Sequence, residues 1–589
     1  MLTERGREAL MTSDILRTTN YPDGGEAVLE AFRNIGIDYI ISSPGSEWPS
    51  LWEALARQKR NETDGPIYLD CGHEILAVTM AAAYTQITGR IQVVVLHAGA
   101  GLLQGAMAIN ACRAMEIPML IMSGEALGFG ETSFDPGSQW YRNLSVVGGN
   151  QRLAEPITKW AQQVPNSATL YQSVVRAAEL AQRQPKGPTY LCVSMETLLE
   201  DWKNPPHRTA VAASPKVQPL EADIESVAKL IVEAKSPIIY VENLGAHNEA
   251  FEALQELAIG AGIPVVEGQG AFFGNFPKSN PLYAGQDVRP FLDEIDLCLL
   301  VECRAPWYPP SNTPKGATVV SVAENSLKNH MVYQTMYADR YLEGDVASIL
   351  KLLSQSVQRA GLQTRAKEQR TRLWADRHRS NLEVLAAAEA EAEQSEIISV
   401  PALAKAMREC LPQESAYVDE TIMHSNALRA HLNWRDPQTF FRAPSGLGQG
   451  VGYALGVKLA LRERFVVFLV GDGTFMYNPI IPALAFAEEH KLPVLVIVLN
   501  NSKYSAMQYF HDRFYPSGVS MMDQSYFGVN ITGSKYEEAA NLVDGYSKRV
   551  LVTSELRDAL LEAKRYVLGG KCAVLNIEMP ELGSAQTLR

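Results

Sequence analysis

The sequence predicts an α/β protein made of three successive doubly wound domains with parallel sheets. Three observations predict it. Short apolar runs alternate with helical patterns about every 25 residues, the spacing of strand–helix–strand units. These runs fall into three blocks, parted by a Pro-rich polar stretch at 201–217 and a charged, Ala-rich stretch after residue 354. In the first and third blocks several runs end on glycine or polar residues, the place where open parallel sheets bind ligands. The boundaries follow: an N-terminal arm at 1–20, α/β domains at 21–200 and 216–355, a helical linker at 356–397, and a third α/β domain at 398–589.

In the first domain a helical pattern from Gly24 leads into a strand, Asp38–Ser42, that ends on Ser43, Pro44, Gly45 and Ser46. A helix (Trp48–Arg60), a short strand (Ile67–Leu69) and a helix opened by His73 and Glu74 follow. The next strand, Ile91–Leu96, ends at His97, and a run of small residues (AGAGLLQGAMAINACRA) precedes strand Met119–Met122. The second domain carries its strands in SPIIYVENLGA, AGIPVVEGQG, DLCLLVECRA and ATVVSVAEN. The segment 356–397 reads as a solvated connecting helix. The third domain starts at Ser399.

Composition excludes several classes. The 589 residues suffice for three or four domains, and 46% hydrophobic with 20% charged residues is ordinary for a globular protein. A formal charge of −13 gives no footprint for nucleic acid or an anionic membrane surface. Seven cysteines are scattered without a CxxC, so neither a zinc ribbon nor a disulfide framework is expected. No apolar run has signal-peptide or membrane-spanning length, so a soluble cytoplasmic protein is expected.

The chemistry concentrates in Val466–Phe510. An apolar run meets Gly471, Asp472 and Gly473; a helical pattern follows; a second apolar run ends on Asn500 and Asn501, with Asn501 lying 29 residues beyond Asp472. Asp472 offers a carboxylate oxygen and Asn501 an amide oxygen, ligands suited to Mg²⁺, which keeps phosphate and water oxygens as its others. Gly471 and Gly473 let backbone N–H groups approach a phosphate at the following helix N-terminus.

GDG followed just under thirty residues later by NN resembles the diphosphate and Mg²⁺ motif of thiamine diphosphate (ThDP) enzymes. Three α/β domains with this motif in the third resemble the ThDP-dependent decarboxylase and acetolactate synthase superfamily, in the order pyrimidine, central and diphosphate domain. The resemblance implies ThDP and Mg²⁺ as cofactors. Glu74 is placed against the aminopyrimidine ring, where a carboxylate promotes deprotonation of the thiazolium C2. Leu447 lies under the bend of the cofactor, with Ser445 and Gly446 beside the aminopyrimidine. Asp472 and Asn501 bind the metal through their side chains and Lys503 through its backbone carbonyl. Gly471, Gly473, Thr474, Asn501 and Ser502 lie around the diphosphate, with Thr421, His424 and Ser425 as candidates on its other side. The small-residue helix after Glu74 suits packing across a subunit interface. A dimer or tetramer is implied, with Glu74 of one chain serving Asp472 and Asn501 of another.

On the substrate side, SPGS and LHAGAGLLQGA resemble benzoylformate decarboxylase, which makes Ser46 and His97 candidates to bind a 2-oxo acid carboxylate and move protons. Gln104, Ala506, Met507, Phe510 and Trp307 are further pocket candidates. The implied reaction is decarboxylation of a 2-oxo acid through a C2 ylide and an enamine, giving an aldehyde or a hydroxyketone. Acetolactate synthesis and C–C bond cleavage of a hydroxyketone or diketone are the alternatives. HDRFY resembles acetolactate synthase instead. The central-domain loop VECRAPWYPPSNTP lacks the second histidine of benzoylformate decarboxylases, Ser505 stands where the family commonly has glycine, and no FAD is expected.

Overall fold

The computed structural model describes residues 22–580, apart from 126, 129–133, 143, 204–212, 310, 332–333 and 335–336. The arm at 1–20 lies outside the described residues. The chain divides into two compact units, Met1–Ser214 and Pro215–Arg589.

The first unit holds one parallel sheet of β1 (Tyr39–Ser43), β2 (Ile67–Asp70), β3 (Gln92–Leu96), β4 (Met119–Glu125), β5 (Trp160–Val164) and β6 (Pro188–Ser194). Its strand order is β2-β1-β3-β4-β6-β5. Helices cover both faces, so β3 and β4 are buried at every position and read in the sequence as unbroken apolar runs. From β1 the chain steps outward to β2 and then back across to β3. The reversal opens a crevice beyond the carboxyl ends of β1 and β3, the topological switch point.

The second unit holds two sheets. The first contains β7 (Pro237–Val241), β8 (Val265–Glu267), β9 (Leu297–Val301), β10 (Thr318–Ala323) and β11 (Arg340–Glu343), in the order β11-β10-β9-β7-β8. The second contains β12 (Ala416–Glu420), β13 (Phe440–Arg442), β14 (Val466–Gly471), β15 (Leu495–Asn500), β16 (Tyr546–Val550) and β17 (Ala573–Glu578), in the order β13-β12-β14-β15-β17-β16. Counted along the chain, this is the order of the first unit's sheet, with the switch point between β12 and β14.

The two sheets of the second unit are stitched together. Phe272–Gly274 runs antiparallel to edge strand β13, with Arg442 N–H donating to Phe272 O (2.7 Å) and Gly274 N–H to Phe440 O (3.1 Å). This covers an edge that would otherwise template aggregation. The buried Lys278 ammonium donates to the carbonyls of Arg429, Ala430 (3.3 Å) and Leu432 (2.7 Å) and lies 4.1 Å from the Trp434 ring centroid. It therefore caps the carboxyl end of helix Ser425–His431.

Two expectations need correction. The charged segment forms one 31-residue helix, Thr364–Gln394, but it is not only solvated. His378 Nδ1 lies 3.1 Å from Tyr283 O, and Glu389 binds Arg408 and His431, so polar residues clasp it to both sheets' domains. In helix Glu74–Thr88 the small residues Ala77 and Ala81–Ala83 are fully buried within this chain, so they present no surface to another subunit. No helix among the described residues is long and apolar enough to cross a membrane.

Candidate active site

Three loops meet at the crevice of the first unit. Glu74 is the first residue of its helix and is half-buried; His73 caps that helix, Nδ1 accepting from Ile75 N–H at 3.2 Å. Burial lowers the pKa of His73. A Cβ added to Gly101 would stand 3.3 Å from both Glu74 Oε1 and His97 Cβ, so Glu74 and His97 share one face of helix Ala98–Ala114. Ser46 is exposed at the tip of the loop after β1. Gln104 is exposed, its Nε2 3.1 Å from His73 Nε2.

Sequence reading missed Glu47. Its side chain is 1% exposed, against 25% for His97, and both carboxylate oxygens lie within hydrogen-bond distance of His97 Nδ1 (2.8 and 3.0 Å). Oε1 also accepts from Ala98 N–H at 2.6 Å. The bond to Glu47 raises the His97 pKa; burial opposes it, Glu47 and Glu74 charges add to it, and Arg142 lowers it.

The crevice of the third domain is built around Asp472, which opens the helix Asp472–Tyr477 and is 3% exposed. Oδ1 accepts from Gly473 N–H at 2.8 Å, whereas Oδ2 is buried without a hydrogen-bond partner, and burial raises the pKa of the carboxyl. Asn501 is buried; its Nδ2 donates to Ser505 Oγ (2.8 Å) and its Oδ1 accepts from Lys503 N–H (3.2 Å). The departure at Ser505 thus orients the Asn501 amide. Ser502 sits in the left-handed region (φ +54°), with its N–H and Oγ held by Asn500 Oδ1 at 3.1 and 3.3 Å. Ser502 O accepts from Ile531 N–H, and Tyr504 N–H donates to Val529 O. Gly473 has no room for a Cβ, but Gly471 does: its φ is −74° and the nearest atom would be 3.9 Å away. Within the protein, therefore, only the second glycine of the motif is crowded by a neighbour. Thr474 is buried on the same turn.

After β12, the hydroxyls of Thr421 and Ser425 both donate to Asp419 (2.6 and 2.5 Å). His424 is buried, its pKa pushed down to about 4 by burial, and its Nε2 has no hydrogen-bond partner. Glu420 was also missed. Its Oε1 accepts from Gly448 N–H (3.0 Å) and Gln449 N–H (2.7 Å), and Oε2 from Asn478 Nδ2 (2.6 Å). It shapes the loop that exposes Ser445 and Gly446 and half-buries Leu447, with Gly446 and Gly448 at φ +104° and +94°. The Gln449 amide donates to the carbonyls of Ser445 (2.5 Å) and Gly446 (3.2 Å).

Helix Ser505–Phe514 carries Ala506, Met507 and Phe510 and has no buried residue; Met507 is 52% and Phe510 48% exposed. Trp307 lies elsewhere in character: it is buried in the packed layer of the central domain with Tyr240, Cys298 and Cys303, a core position rather than a pocket wall.

These residues fit a hard divalent cation and a diphosphate. Asp472 brings a buried, unpartnered carboxylate oxygen, Asn501 an oriented amide, and the turn a close-approach glycine. Among the described residues no three His, Cys, Asp or Glu side chains are grouped to hold a metal ion.

Residues 22–127 match the N-terminal TPP binding domain of the thiamine pyrophosphate enzymes, 224–353 their central domain and 423–577 their C-terminal TPP binding domain. Relatives include the acetolactate synthase large subunit of Buchnera aphidicola subsp. Schizaphis graminum, 23% identical over 95% of each chain. The benzoylformate decarboxylase of Pseudomonas aeruginosa is 25% identical over 82% of this chain and 87% of its own. In fold, the chain is similar to benzoylformate decarboxylase from Polynucleobacter necessarius (TM-score 0.74, 18% identity, 95% and 99% covered). It is equally similar to the ThDP-dependent 4-hydroxybenzoylformate decarboxylase of Rhodococcus jostii (TM-score 0.74, 20% identity, 96% and 100% covered). With its three domains matched in order along most of its length, the chain belongs to the thiamine pyrophosphate enzyme family.

Proposed function

We propose that this protein is a ThDP- and Mg²⁺-dependent enzyme that decarboxylates a 2-oxo acid, releasing an aldehyde or passing the acyl unit to a second carbonyl. The observation that carries the reading is Asp472 Oδ2, a buried carboxylate oxygen without a partner at the switch point, beside the oriented Asn501. Asp472, Asn501 and the Lys503 carbonyl would hold Mg²⁺. Gly473 N–H, Thr474 and His424 Nε2 would hold the diphosphate, since Thr421 and Ser425 already spend their hydroxyls on Asp419. Leu447 and the Ser445–Gly446 backbone would support the aminopyrimidine, and Glu74 of a second chain would share a proton with its ring. When bound, ThDP supplies a nucleophilic carbon and an electron sink for the departing CO₂.

The chain's own residues do the rest. Ser46 and His97 bind the carboxylate of the substrate, and His97 moves a proton near neutral pH. The exposed apolar faces of Met507 and Phe510 favour an apolar substituent. We also propose self-association as a dimer or tetramer. The test is CO₂ release from a panel of aliphatic and aromatic 2-oxo acids, with and without ThDP and Mg²⁺. Turnover that needs both is expected; no CO₂ from any acid, together with no ThDP binding by calorimetry, would end the reading.

Acetolactate synthesis is the second reading, favoured by the resemblance of HDRFY and by relatives such as the Buchnera enzyme. The first reading is of a protein without FAD. A yellow protein that forms acetolactate from pyruvate would select this second reading.

A further inference from the structure

The geometry points to Glu47 as the positioning residue of the first crevice: its carboxylate accepts a hydrogen bond from His97 Nδ1–H and so leaves Nε2 as the atom that exchanges a proton with substrate. This rests on the role proposed for His97 above. β1 and β3 are adjacent parallel strands, with Ser43 opposite Leu96, so the loops that follow them meet. Trp48 Nε1–H pins the junction by donating to Leu96 O at 3.0 Å. Glu47 is nearly sealed from water while His97 keeps one side open. A carboxylate is acceptor-only when ionised, so the nitrogen facing it carries hydrogen and the other is the acceptor in neutral imidazole.

The pocket around this pair has no slack. A Cβ on Gly45 would stand 1.6 Å from His97 Nδ1 and 2.2 Å from Glu47 Oε2; one on Gly124 would stand 1.9 Å from Glu47 Cγ. Two glycines from different strand ends therefore close on the same carboxylate. Ala98, whose N–H also binds Glu47, has φ +23°, a region L-residues rarely adopt. Backbone strain next to a polar pair is a pattern of functional sites. The charged groups facing His97 are Glu47, Glu74 on helix Glu74–Thr88, and Arg142; the bond to Glu47 is the strongest influence and favours the imidazolium.

The plainer alternative is that Glu47 only caps helix Ala98–Ala114. Glu47→Gln separates the two, because an amide can still accept from Ala98 N–H but cannot offer two acceptor oxygens to the pair. Expected for Glu47→Gln with the best 2-oxo acid are a fall in kcat of about 100-fold or more, a KM within about threefold, unchanged ThDP affinity, and an acid limb of the pH–rate profile displaced to lower pH. Glu47→Asp restores part of kcat and of the pH limb. Unchanged kcat and pH limb in Glu47→Gln would reduce Glu47 to a cap and overturn the inference.

Nitrogen NMR of histidine-labelled wild-type protein decides the pairing without turnover or a folded variant. His97 is expected to carry hydrogen on Nδ1 and to titrate above about 6.5. An Nε2–H tautomer titrating below that value would overturn the inference even in an active enzyme, whereas the expected tautomer in a protein that turns over no 2-oxo acid would leave the pairing standing and the proposed reaction at fault.

Discussion

Tyr504 leaves no space for a side chain at Gly473: a Cβ there would stand 2.3 Å from Tyr504 Cε1. The ring belongs to the loop that carries Asn501, so the GDG turn and the Asn-Asn loop are packed against each other. Gly473→Ala is expected to push that loop away and weaken ThDP binding on the order of tenfold or more, read by calorimetry. Adding Tyr504→Ala should recover much of the affinity. Full affinity in Gly473→Ala alone would show that the contact has no bearing on the cofactor.

The unpartnered oxygen of Asp472 predicts a metal requirement. Mg²⁺ and ThDP together are expected to raise the wild-type melting temperature, because a ligand that binds only the folded state stabilises it. Asp472→Asn should lose most of that rise while the melting temperature without ligands holds or increases, since a buried carboxylate that backbone N–H groups only partly offset has been removed. An undiminished rise in the variant would remove Asp472 from the metal site.

Glu420 predicts a pH dependence of stability. Burial pushes its pKa up to about 7 in the folded protein. For an acid with a raised folded pKa, the folded state holds the proton longer than the unfolded state. Stability is therefore highest below the unfolded value near 4.5 and falls as pH rises, by about 3 kcal/mol in all, levelling off above about 7. Glu420→Gln lacks this group, so the wild-type-minus-variant stability from urea denaturation should fall between pH 5 and 8. A difference that stays flat or rises would contradict the assignment.

Ser502 has a left-handed backbone that glycine adopts without cost. Ser502→Gly is expected to stabilise the protein by about 0.5–1 kcal/mol, less whatever the Ser502 Oγ bond to Asn500 contributes. Denaturant midpoints would measure it. A loss of stability would mean that the hydroxyl outweighs the strain.

The family's GDG and NN signature was legible in the sequence because its residues and their spacing lie in one continuous stretch, and the three-domain fold because buried parallel strands read as unbroken apolar runs. Glu47, Asp419 and Glu420 were not. A glutamate one residue past Pro-Gly-Ser ordinarily faces water, and only the pairing of β1 with β3 seals Glu47 in. Asp419 and Glu420 sit at the end of an apolar run in VDET, where nothing in the run says that the turn after it will give its hydroxyls to Asp419 and a distant loop its N–H groups to Glu420. Trp307 shows the reverse: an aromatic residue in a loop looked like a pocket wall, yet the central domain's own strands absorb it. The acidic residue beside a Pro-Gly turn at a strand end was the signal available for Glu47.

The first and third sheets repeat one strand order with unrelated side chains at their crevices. One crevice carries imidazole, hydroxyl and carboxylate groups suited to handling protons, and the other carries an amide, an aspartate and a glycine turn suited, with a divalent cation, to anchoring an anion. The two crevices belong to separate compact units of one chain. Under the proposed function, inheritance can act on the two independently: substitutions around Ser46 and His97 would change which acid is accepted while Asp472 and Asn501 would continue to hold the same coenzyme.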